Sequence, residues 1–121
     1  MSARTTFTNP LPERTTQYLG LTFLDETGAG FKPTTLTLTL YDVSTRQIIN
    51  SRDRQDILDL NGATVTAGGV LSLRLDAADT VVVTDGTQDE RHIALLEWSW
   101  SSGTKTGKHE IEHRVANLDR V

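Results

Sequence analysis

Three histidines, two clusters of carboxylates and a pair of tryptophans are the residues of this chain with chemistry to offer. His109 and His113 have the HxxxH spacing that binds zinc when it lies on one face of a helix. Here the flanking residues alternate, so the pair lies on a strand. Four residues along a strand span roughly 13 Å at ~3.3 Å each, too far for one ion whose bonds to nitrogen are about 2 Å. The pair therefore reads as one partly buried and one exposed histidine, and no metal site is assigned.

The carboxylates recur at Asp53, Asp56 and Asp59, and again at Asp85, Asp89 and Glu90. Calcium needs several converging oxygens on a loop rich in Asp, Asn and Gly. The stretches Asp59-Leu-Asn61-Gly62 and Asp85-Gly86 only echo that pattern, and Asp is a common stabiliser of turns. Both clusters read as solvated turns. The GGV at Gly68–Val70 lacks the strand–helix context of a phosphate-binding loop, and there is no nucleophile elbow or dinucleotide fingerprint. No catalytic, cofactor-binding or metal-binding residue is assigned, and no cofactor is expected.

Trp98 and Trp100 point the same way, because side chains alternate across a strand. Two such rings on a shared platform could hold a sugar. That makes a carbohydrate-binding module the alternative from a different class. Their shared face with Leu96 and Ile111 argues instead for a core position.

Those residues hang on a chain that alternates with period two. In TTLTLTLYD, Leu36, Leu38 and Leu40 face inward while Thr35, Thr37 and Thr39 face out, the pattern of a half-buried antiparallel strand. Leu71, Leu73 and Leu75 repeat it, with Ser72 and Arg74 outward. Gln17–Asp25 is a strand with Leu19, Leu21 and Phe23 on one face. Val43–Ile49 is a turn into a short strand, and Ala63–Ala67 and Val81–Val83 are short strands. Asn50–Leu60 fits either one or two helical turns or an irregular crossover, and Asn61-Gly62 ends it. Short segments with Gly/Asp/Asn turns at ~10-residue spacing point to an antiparallel β-sandwich or small barrel. No βαβ alternation supports a parallel sheet.

Arg91–Leu118 reads as two strands and a loop. Pairing Trp98 with Ile111 sets Leu96 near His113 and Ala94 near Val115. That arrangement lines up the apolar face but places Glu97 opposite Glu112. The run Ile93–Leu96 is apolar without a break, which predicts a bulge or a strand covered on both faces, by the chain itself or by another subunit.

Residues 1–16 are polar and Thr-rich, with Pro10 and Pro12 favouring extended backbone. They read as an extended arm ahead of a β-sandwich domain over 17–121. The arm either frays or orders against a neighbouring subunit, with Phe7 and Leu11 as its apolar anchors. Phe7, Leu11, Ile93 and Leu95 are the candidate contact residues.

At 121 residues the chain forms one domain, which should bury about two-thirds of its unfolded surface. A formal net charge of −4 argues against a nucleic-acid partner. With no cysteine, disulfides and thiolate metal sites are excluded. The N-terminal stretch lacks the apolar segment of a signal peptide, and no apolar run approaches the ~20 residues of a membrane helix. A soluble protein with no membrane partner is expected.

The LYD…IINSRD…QDIL run, the GVLSLRL…AD segment and the closing ERHIALLEW…GKHEIEHRV hairpin resemble small virion proteins of tailed bacteriophages. The resemblance spans Gln17–Leu118 and carries no catalytic residues. It implies an immunoglobulin-like β-sandwich with no enzymatic activity. Such a protein would assemble in multiple copies at the neck or head–tail junction or on the capsid surface, with a tail or baseplate position as the alternative. The partners implied are other virion proteins (portal, neck, capsid or tail) and further copies of the chain. The location implied is the virion, assembled in the host cytoplasm.

Overall fold

The structure, a computed structural model, describes residues 2–6, 11–12, 14–83, 89–100 and 104–116. The strands are β1 (Ser2–Thr6), β2 (Leu11–Pro12), β3 (Gln17–Thr22), β4 (Thr35–Asp42), β5 (Gln55–Asp56), β6 (Ala63–Val65), β7 (Val70–Leu75), β8 (Asp89–Trp100) and β9 (Lys105–Ala116). A 3-10 turn at Ala77–Asp79 is the only helical element among the described residues. No helix among them is long and apolar enough to cross a membrane.

The strands form two sheets. The larger runs β1-β9-β8-β4-β5, with β2 also on β9, and it curls into a half-barrel. The smaller is the antiparallel set β3-β7-β6. Inner-facing residues of both sheets meet in one core. Leu36, Leu38 and Leu40 of β4 and Leu73 and Leu75 of β7 are fully buried, as their alternation predicts. On β3, Leu19 is buried while Tyr18 remains exposed. Phe23, just beyond β3, completes that wall. The chain is therefore nearly all β, with the leucine rows as the seam between its sheets.

β8 and β9 form an unbroken antiparallel ladder of twelve pairs, from Asp89↔Ala116 to Trp100↔Lys105. The expected pairing of Trp98 with Ile111 is corrected here: Trp98 faces Gly107, and Ile111 faces Ala94. The displacement is four residues along β9. Being even, it leaves every side chain on its expected face. Two local causes favour the observed register. Glu97 lies opposite Lys108, with Nζ 3.7 Å from the carboxylate, rather than opposite Glu112. Glu112 instead takes the Arg91 guanidinium at 2.7 Å. Gly107 also leaves room for the Trp98 indole, since a β-carbon there would stand 2.7 Å from the ring.

No bulge interrupts Ile93–Leu96. The β4–β8 ladder is continuous from Thr35↔Ser99 to Asp42↔His92. The apolar run instead reflects burial on both faces, with Ala94 fully buried on one side and Ile93 buried on the other between Tyr41 and Glu112.

Asn50–Leu60 is the irregular crossover rather than helical turns. Asn50, Ser51, Arg54, Asp59 and Asn61 all have positive φ. A buried ion pair fastens it. Arg52 donates from Nε to Asp79 Oδ1 at 2.7 Å and from a terminal nitrogen to Oδ2 at 3.0 Å, with both side chains buried. Asp79 also accepts from Asn50 Nδ2 and from the Asp76 N–H. The short strand expected at Val43–Ile49 reduces to a single bridge, Tyr41↔Ile48, and Val81–Val83 is not a strand.

The N-terminal segment joins its own sheet. β1 runs parallel to β9 with Ser2 beside Lys108 and Thr6 beside Glu112, and β2 continues along the same strand with Leu11 beside Val115. At its root the segment is tied to the smaller sheet's side of the fold. Thr80 accepts the Arg14 N–H on its carbonyl and the Thr15 N–H on its hydroxyl, and that hydroxyl donates to the Thr15 carbonyl.

Candidate functional site

The expected contact residues are spread over the larger sheet. Leu11 is half-buried and packs on the core. Ile93 is buried and Leu95 half-buried. Phe7 lies outside the described residues.

The tryptophans belong to an aromatic cluster at one end of the core. Trp98 meets Phe23 edge-on at 4.8 Å, and Trp100 stacks on Phe31 at 4.5 Å. Both indoles are half-buried, and Trp98 Nε1 is buried without a hydrogen-bond partner. One face of Trp100 is thus occupied by Phe31, and the pair does not form an open platform for a sugar ring.

The aspartates of the crossover do separate structural work. Asp56 accepts the Leu58 N–H, while Asp59 pairs with Lys32 and accepts the Val65 N–H. The Lys32 contact, followed by the Val65 N–H, lowers the Asp59 pKa. Asp25 does similar work in the loop after β3, where bonds from Thr27 and Ala29 hold its carboxyl below the ordinary value. In the second cluster, Asp85 lies outside the described residues, and nothing is described of the Asp89 side chain. Glu90 is buried.

The outer face of the larger sheet carries an open groove of about 610 Å³, lined by Thr35, Thr37, Glu97, Ser99, Thr106 and Lys108. Two of its hydroxyls pair, with Thr35 Oγ1 and Ser99 Oγ 2.6 Å apart, and Thr37 donates to the Glu97 carbonyl.

The densest polar chemistry lies on the inner face. Successive rungs across β4, β8 and β9 read Leu36–Trp98–Gly107, Leu38–Leu96–His109, Leu40–Ala94–Ile111 and Asp42–His92–His113. The last rung turns an apolar floor polar, and Glu90 shares its face two residues further along β8. Asp42, Glu90, His92 and His113 are all buried. His92 Nε2 stands 3.0 Å from Glu90 Oε1 and 3.7 Å from Asp42 Oδ1. The carboxylates are held in turn by the backbone. Asp42 Oδ2 accepts the Thr45 N–H and hydroxyl at 2.9 and 2.8 Å, and Glu90 Oε1 accepts the Val83 N–H at 2.7 Å. His113 meets His92 edge-on, with ring centroids 5.9 Å apart. Burial, reinforced by the neighbouring His92, pushes the His113 pKa down to about 4, so the ring is neutral near pH 7.

His109 and His113 share a face but stand four residues apart on β9, as the spacing requires. His109 is half-buried opposite Leu96, and burial lowers its pKa. Sequence reasoning missed the rung of Asp42, His92 and His113 because it placed His113 opposite Leu96. The signal that could have found it was the charge on Lys108, which favours Glu97 as a partner and so sets the register.

Comparison with protein-family profiles, curated proteins and solved structures finds no match for the chain.

Proposed function

We propose that this protein is a non-enzymatic structural component of a tailed-phage virion. It would assemble in multiple copies at the neck or head–tail junction or on the capsid surface, with its two sheets forming an immunoglobulin-like sandwich. The observation that carries the reading is the N-terminal segment laid along β9 as an added parallel strand. Strand addition at a sheet edge is a contact made of backbone hydrogen bonds, and the same edge serves equally well between copies of a chain. The segment resemblance over Gln17–Leu118 supplies the virion context. The two-sheet core built on leucine rows supplies the rigid body such a part needs.

The test compares the full chain with one lacking residues 1–16, by size-exclusion chromatography with light scattering and by circular dichroism. The full chain is expected to form a defined oligomer at high concentration. The truncated chain is expected to keep its β spectrum and lose the oligomer. A full chain that stays monomeric at millimolar concentration, encoded by a gene with no capsid, portal or terminase gene beside it, would overturn the proposal.

A further inference from the structure

We propose that Asp42, Glu90 and His92 bind one divalent transition-metal ion, with zinc best suited to the donors and their spacing. One ligand atom from each residue lies within 4.8 Å of the other two, and all three side chains are buried. Zinc bonds of about 2.0–2.2 Å in a tetrahedral arrangement place ligand atoms roughly 3.4 Å apart. The two separations from His92 Nε2, 3.0 and 3.7 Å, bracket that value.

The carboxylates are oriented as ligating carboxylates usually are, by hydrogen bonds from outside the site. Thr45 holds the far oxygen of Asp42 and so leaves Oδ1 toward the imidazole. The Val83 N–H holds Glu90. Magnesium and calcium demand six or more oxygen ligands, whereas an imidazole with two carboxylates suits zinc and its neighbours in the first transition row.

A second observation points to a ligand at the same place. His113, fully buried and edge-on to His92, has both ring nitrogens without a hydrogen-bond partner, and His92 Nδ1 has none either. Buried polar atoms are nearly always satisfied, so three unpaired nitrogens in one contact require an explanation. A metal ion on His92 Nε2 would satisfy one of them, the His113 nitrogen that a turn of the ring brings in as the fourth donor beside Asp42, Glu90 and His92. Binding uses the lone pair of His92 Nε2, and a proton carried there leaves to solvent. The donors come from β4, β8 and β9, so the ion ties three strands at one end of the core. In this closed, buried setting it stabilises the fold rather than activating a water.

The test uses the full chain stripped with a chelator and titrated with cobalt(II) and with zinc(II). One equivalent of cobalt is expected to give visible absorption bands of tetrahedral intensity, which zinc abolishes. Zinc at about a hundred times its Kd should raise the Tm by roughly 10 °C, while calcium and magnesium leave it unmoved. Asp42→Asn and Glu90→Gln keep side-chain shape and should weaken zinc binding by about tenfold or more. His109→Gln should bind as the parent does. A parent chain with no cobalt bands and no thermal shift would overturn the proposal, as would equal losses in Asp42→Asn and His109→Gln. Should the carboxylate variants fail to fold, nitrogen-15 spectra of the parent decide. Zinc must shift His92 Nε2, and a shift confined to His109 refutes the site.

Discussion

Trp98 lies across Gly107, its partner in the central hairpin, so closely that a β-carbon on Gly107 would stand 2.7 to 2.8 Å from three atoms of the indole. The glycine is required by the ring above it rather than by its backbone angles. Gly107→Ala should therefore cost about 1–3 kcal/mol in urea unfolding, the usual range for overpacking. In a Trp98→Leu background the same change should cost much less, since the clashing partner is gone. Equal costs in both backgrounds would mean that the contact does not set the residue choice.

The Arg52–Asp79 pair is buried on both sides and fastens the crossover to the 3-10 turn. Asp79→Asn removes the charge and leaves the guanidinium buried without its counter-ion. Breaking such a pair from one side costs about 3–5 kcal/mol. Chemical denaturation should show a loss of that size with unchanged cooperativity. A loss under 1 kcal/mol would show that water reaches the site.

His113 makes stability depend on pH. Its folded pKa of about 4 lies below the 6.5 of an ordinary histidine, so the unfolded chain takes up the proton first as pH falls. The contribution is complete above about pH 6.5 and is lost as pH drops toward 4. In chelator-containing buffer the loss should be on the order of 3 kcal/mol across that window. His113→Leu should flatten this slope. Identical pH profiles for parent and variant would place the titration elsewhere.

Thr80 anchors the root of the N-terminal segment through its hydroxyl. Thr80→Val keeps the shape and leaves the Thr15 N–H and carbonyl without that partner. The expected cost is about 1–3 kcal/mol, the range for stranding partly buried backbone groups. Amide exchange at Thr15 should accelerate while Leu38 and Leu73 stay protected. Uniform acceleration would show that the clamp belongs to the global fold.

Much of the architecture was legible in the leucines. Period two at Leu36–Leu40 and Leu71–Leu75 located two strands and their buried faces, because burial on one side of a pleated strand leaves no other pattern. The hairpin was legible as an element but not in register. A displacement of four residues preserves the faces, so periodicity is blind to it, and only charge pairing at Glu97 and the space at Gly107 decide. The crossover from Asn50 was ambiguous because its conformation rests on positive φ at Ser51 and Arg54, residue types that do not advertise it, and on the distant Asp79. β1 gave no apolar alternation to read, since its place on β9 is written in backbone hydrogen bonds. The cluster of Asp42, Glu90 and His92 was invisible for a related reason. Asp42 stands 48 and 50 residues before Glu90 and His92, and only the pairing of β4 with β8 brings it to them.

The parallel course of β1 along β9 also decides where attachments can be made. Ser2 sits beside Lys108, toward the tip of the hairpin, while β9 ends at Ala116. Eight residues of strand separate these points, roughly 26 Å at ~3.3 Å per residue. A fluorophore tethered at Ser2 and another at Ala116 would therefore mark opposite ends of the same strand edge. Energy transfer between them would report whether the first strand stays docked or lifts away.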